Sequence, residues 1–115
     1  MRTLNDYFIT AKIADISTAS STFVAIPDGG RVIKIITALQ GAIGTANGAI
    51  TFEIGGTAMT DSAITVAYSG SAAGDVDTSE PTAANTVSED GTIEMITDGA
   101  STNAIVLYVT FVIRR

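Results

Sequence analysis

The 115-residue chain contains no cysteine, no histidine and no tryptophan. Disulfides, thiolate zinc sites and imidazole acid–base catalysis are therefore excluded outright. The missing thiols fix no compartment. Long helical runs of Leu, Glu, Lys and Arg are also absent, and aromatic residues make up only 6%, so small side chains must fill much of any core. No stretch reaches the roughly 18 apolar residues of a membrane span. The opening MRTLNDYFIT has no apolar run after its charge, so the expectation is a soluble product made in the cytosol, with no membrane partner.

With 46% hydrophobic residues the chain has apolar surface enough for a core, and its length suits one domain and leaves no room for a second. Ala, Gly, Ser and Thr dominate the remaining positions, a composition of β-rich proteins with tight turns. The formal charge is −6, which disfavours direct nucleic-acid binding, since that draws on clustered Lys and Arg. The six cations, Arg2, Lys12, Arg31, Lys34, Arg114 and Arg115, all avoid residues 35–113. Such a distribution reads either as solubility or as basic segments that meet an acidic partner or subunit.

Residues 104–115, AIVLYVTFVIRR, are apolar or amphipathic on both alternating faces and free of Gly and Pro, which predicts a central strand. Before it, alternation or β-branched content predicts strands at 7–16, 22–26, 31–39, 49–54, 57–59, 63–68 and 92–97. In the segment 31–39 the alternation sets Arg31, Ile33, Ile35, Thr37 and Leu39 against Val32, Lys34, Ile36 and Ala38. Pro27, Asp28, Gly29 and Gly30 form one turn, and Gly55 with Gly56 a two-residue hairpin turn. Residues 1–6 read as an N-terminal arm, and 69–91 as one long loop folded on itself, functional, or engaged by a neighbour. The expected fold is all-β: a two-sheet antiparallel sandwich over 7–115 of about eight strands, a jelly roll ahead of an Ig-like or barrel topology.

Catalytic constellations are wanting. Asp75, Asp77, Glu80, Glu89 and Asp90 could offer oxygen ligands to a hard cation, but they lack the EF-hand register and read equally as a solvated acidic turn or a subunit contact. A glycosidase pair of carboxylates would want an aromatic-lined cleft, for which the chain has few rings. Lys12 and Lys34 stand beside no G-x-S-x-G or S-x-x-K, and the Gly pairs are turn glycines, not phosphate cradles. Tyr7, Phe8 and Tyr68 read as core or sheet-edge residues, with Tyr68 sharing the face of Ile64 and Val66. No cofactor, metal or enzyme activity is expected.

Three stretches, DISTASSTFVAIPDGGRVIKI, ITVAYSGSAAGDVDTSEPTAANTVSEDG and ITDGASTNAIVLYVTFVIRR, together resemble small virion proteins of tailed bacteriophages and prophages, of the capsid decoration or cement type. The resemblance implies a β-rich protein, trimeric, on the exterior of an icosahedral head, where it bridges capsomers and has the major capsid protein as partner. It carries over no functional residue. The candidate contacts with capsid or subunit are Arg2, Tyr7, Arg114 and Arg115, at the arm and the C-terminus. The competing role is a receptor- or glycan-binding module of a phage tail or fibre.

Overall fold

A computed structural model describes residues 4–115. Ten strands are found among them: β1 Asp6–Ile13, β2 Ser20–Ile26, β3 Gly30–Leu39, β4 Gly48–Ile54, β5 Thr57–Ala58, β6 Ile64–Val66, β7 Val76–Ser79, β8 Thr86–Val87, β9 Gly91–Thr97 and β10 Leu107–Arg114. They form two antiparallel five-stranded sheets. Sheet A runs β1-β10-β3-β7 with β8 also on β3, and sheet B runs β2-β9-β4-β5 with β6 also on β4. The pairing is nested: β1 with β10, β2 with β9, β3 with β7 and β8, β4 with β5 and β6. A single long antiparallel ribbon has thus been folded over into a sandwich.

The core lies between the sheets, and alternation selects its members. Ile13 from β1, Ile35 and Leu39 from β3, and Leu107, Val109, Phe111 and Ile113 from β10 face Ile26, Ile50, Phe52, Ile93 and Met95 from sheet B. Phe52 and Phe111 meet edge to face across the interior, with ring centroids 5.7 Å apart and planes at 89°. That geometry suits the aromatic quadrupole and adds about 0.5–1.5 kcal/mol to the burial of the two rings. β10 is central, as its two apolar faces require. It is paired on both sides, although it begins at Leu107 and not at residue 104.

The structure corrects the sequence reading at three places. The expected eight strands are ten, because the segment 69–91 contributes β7 and β8, both laid against β3. Around Val76, Thr78, Thr86 and Val87 the segment is mostly Gly, Ser, Ala, Asp and Glu, which gives no long alternating run, and β3 supplies the ladder that orders these short strands. The alternation assigned to β3 fails at its start: Val112 pairs with Lys34 and Ile113 with Val32, so Ile33 is an unmatched bulge residue. The bulge turns Val32 into the core and leaves Arg31 exposed. Tyr68 is 43% exposed beyond the end of β6 and does not share the buried face of Ile64 and Val66.

Two turns need their glycines. Gly55 and Gly56 have φ of 60° and 81°, the paired positive values of a tight hairpin between β4 and β5. Gly99 has φ of 68°, and a Cβ there would lie 2.4 Å from the Ala19 backbone nitrogen, so only Gly lets the chain after β9 pass this close.

Candidate docking surface

Three of the four candidate contact residues, Tyr7, Arg114 and Arg115, are brought together at one end of sheet A. Asp6 and Arg114 are direct partners in the β1–β10 ladder. Arg114 donates from Nε to Asp6 Oδ1 at 2.8 Å and from Nη2 to Asp6 Oδ2 at 3.0 Å, a two-point fork onto a carboxylate whose side chain is almost wholly buried. Hydrogen bonding to Asp6 raises the Arg114 pKa above its already high ordinary value, so the guanidinium is permanently charged. Beside it, Arg115 Nη1 donates to Asp28 Oδ2 at 2.5 Å, and its guanidinium lies 5.4 Å from the Tyr7 ring centroid. The Tyr7 hydroxyl donates to Gly29 O at 2.9 Å, and the Arg115 amide to Asn5 O at 3.2 Å. Burial, and after it the charge of Asp28, holds the Tyr7 phenol above its ordinary pKa.

Tyr7, Arg114 and Arg115 therefore clasp the two chain ends and the Pro27–Gly30 turn to one another. Arg2 lies outside the described residues. Strand β1 begins at Asp6, inside the segment 1–6 read as an arm.

The register of sheet A sets a second group of residues side by side on its outer face. One row runs Phe8, Val112, Lys34 across β1, β10 and β3. The next runs Thr10, Thr110, Ile36, Thr78, and the third Lys12, Tyr108, Ala38, Val76. Phe8 is 57%, Tyr108 41% and Val76 60% exposed. Val112 is fully buried yet stands apart from the core cluster, flanked in register by Phe8 and Lys34. The face therefore carries exposed apolar side chains in its first and third rows, on either side of a middle row that is mostly threonine. At its clasp end, Arg114 and Arg31 occupy the row beyond Val112.

Charge divides between the sheets. Lys12, Arg31, Lys34 and Arg114 all belong to strands of sheet A, whereas no strand of sheet B carries a cation. Asp6, the carboxylate in those outer rows, is already engaged by Arg114. Among the described residues no carboxylate pairs with Lys12, Arg31 or Lys34. On the outer face of sheet B, Glu53 and Glu94 stand directly opposite each other, with Phe23, 64% exposed, next in the row. Like charges so placed repel.

The sequence reading did not assemble these surface residues: alternation set Lys12 with Thr10 and Tyr108 with Val112 on one side of their strands, but Phe8 read as core or sheet edge and Val76 lay in a segment read as loop. Which strands adjoin is set by pairing between residues far apart in the chain.

The acidic segment 69–91 is tied down locally. Asp75 Oδ2 accepts from the Ala72 amide at 2.9 Å, and the buried Asn85 donates from Nδ2 to Val32 O at 2.6 Å and to Pro81 O at 3.4 Å. Asp77 turns toward the sheet interface opposite Thr37, where burial, and then the charge of Asp75, raises its pKa. Among the described residues no three carboxylates are gathered as a cation site.

No protein-family model matches the chain, and no curated protein matches it. The fold does have solved counterparts. A chain in the "Acidic stable capsid structure of Helicobacter pylori bacteriophage KHP30" is similar to this one with a TM-score of 0.64 at 15% identity, covering 96% of this chain and 87% of that one. A chain from Bacillus endospore appendages, described as forming a novel family of disulfide-linked pili, has a TM-score of 0.40 at 17% identity over 94% of this chain and 87% of that one. The first likeness is one of fold along nearly the whole chain.

Proposed function

From a fold like that of a bacteriophage capsid chain, we propose that this protein is a structural component of a phage virion, a decoration protein on the exterior of the head that bridges capsomers as a homotrimer and is held by the major capsid protein. The observation that carries the proposal is the likeness in fold over 96% of the chain to a chain of a phage capsid. The nested strand order in two antiparallel sheets adds support, because it is compatible with a ribbon wound as a jelly roll, an architecture that viral capsid domains use. Fully paired central strands and an apolar two-sheet core make a stiff unit, which suits a part that resists strain.

Within this proposal the side with Tyr7, Arg114 and Arg115 faces the capsid or a neighbouring subunit, and Arg2, outside the described residues, is a further candidate contact. Arg115 is the best placed of these, since its side chain is half exposed despite the contact with Asp28. Purified protein added to undecorated heads and imaged by electron microscopy tests the proposal. Extra density outside the shell, at the junctions of capsomers, is the expected result. Heads that stay bare, or density confined to the tail, would refute it.

A further inference from the structure

We propose that the outer face of sheet A is the surface by which the protein is held, and that its occupant is a protein surface on which carboxylates alternate with apolar side chains. This rests on the virion role proposed for the protein, and assigns that surface to the shell. The face joins two features that occur together nowhere else among the described strands. Phe8, Tyr108 and Val76 are apolar side chains open to solvent on either side of a threonine-rich row, and Lys12 and Lys34 share their rows, with Arg31 beyond, as charges that no carboxylate of the described residues neutralises. In a chain of net charge −6, a face whose paired rows hold Lys12, Lys34, Arg31 and Arg114 against one carboxylate, Asp6, is a local reversal of sign, with Glu80 just past the end of β7. Desolvating those cations against carboxylates returns Coulomb energy and fixes the orientation of docking, while the exposed Phe8, Tyr108 and Val76 supply apolar burial.

A second copy of the chain fits this face poorly. Two sheet A faces meeting about a twofold axis would set Lys12, Lys34 and Arg31 against their own kind. Sheet A on the acidic sheet B of another copy matches in sign, but the two outer faces lie on opposite sides of the sandwich. Contacts of that kind repeat into an open stack and do not close. A phosphate backbone would leave Phe8, Tyr108 and Val76 without apolar partners, and three free cations release too few counterions for tight binding. In the proposed arrangement sheet B, with Glu53 and Glu94, points away from the shell into solvent.

The test measures binding of the purified protein to undecorated heads by co-sedimentation, together with sedimentation velocity of the protein alone. Wild-type protein is compared with the double variant Lys12→Glu and Lys34→Glu, with the matched control Glu53→Lys and Glu94→Lys, and with Val76→Asp. Val76 lies on a short strand with its side chain largely in solvent, so that variant keeps the test alive if the lysine double variant fails to fold. The lysine variant and Val76→Asp should each bind heads about tenfold or more weakly, while the control binds as wild type. Equal binding by wild type, the lysine variant and Val76→Asp would overturn the inference and leave the virion role standing. Loss of self-association in the lysine variant with head binding intact would make a second copy the occupant, and also overturn it. Wild-type protein that binds no heads would remove the virion role itself, and the shell as partner with it.

Discussion

Asp77 shows how a single residue answers to its surroundings. Its carboxyl points toward the sheet interface near Asp75, and both burial and the neighbouring charge favour the protonated form, so its pKa in the fold lies above the unfolded value. The native state therefore holds the proton more tightly than the unfolded chain does. This contribution to stability is complete below the ordinary Asp value of about 3.9 and is lost as pH rises through the raised pKa. Asp77→Asn, neutral at every pH, should then raise Tm at pH 7, and the gain should shrink toward zero by about pH 3. Melting curves at the two pH values check this, and a lower Tm for the variant at pH 7 would contradict it. Tyr7 has the same sign at the alkaline end: its raised phenol pKa makes the clasp weaken as pH climbs past the ordinary Tyr value. Neither shift was legible in the sequence. Asp77 stood among five carboxylates of one acidic segment, and only the pairing of β7 with β3 set it apart.

At the scale of elements, the segment 69–91 is the instructive case. Its composition gives it little intrinsic tendency to form strand, and it holds its place through β3 and a few polar anchors. The chief anchor is Asn85. Its side chain bonds Val32 O and Pro81 O while its own carbonyl accepts from the Val32 amide at 2.8 Å, so one buried residue fastens the segment from both sides. Asn85→Ala should cost about 1–3 kcal/mol in urea unfolding, since buried acceptors are left unpaired. Hydrogen exchange should quicken at Thr86 and Val87 while the β1–β10 ladder stays protected. Exchange unchanged at β8 would show that the backbone pairing suffices alone. The bulge in β3 is another element the sequence concealed. Alternation foretells faces only while the period holds, and the extra residue Ile33 reverses the assignment of Val32 and Arg31.

The whole molecule is organised by the adjacency of its ends. Asp6 pairs with Arg114, 108 positions away, and the Arg115 amide reaches Asn5 O, so β1 and β10 close the nested ribbon on itself. A circular permutant that joins Arg115 to Met1 and opens between Gly55 and Gly56 should keep a β-type circular dichroism spectrum and one cooperative unfolding transition. That hairpin tip has nothing within 4 Å of where side chains would stand at its two glycines, so new ends fit there. A permutant without cooperative unfolding would mean that continuity through β4 and β5 is needed to form sheet B. The same closure gives the molecule its polarity, with cations gathered on one sheet and the facing glutamates on the other.

By itself the sequence determined the all-β class, the chemistry ruled out by absent Cys and His, the turn at Gly55 and Gly56, and the central place of the last strand. Those follow from local rules: a period of two along the chain, and the torsional freedom of glycine. Only the tertiary structure decided that Tyr7, Arg114 and Arg115 spend their polar groups on partners within the chain. It likewise decided that Phe8, Lys12, Lys34, Tyr108 and Val76 share one surface. The reason is range: a strand's faces are written in neighbouring residues, but its lateral neighbours are chosen by hydrogen-bond ladders and core packing that join residues tens of positions apart.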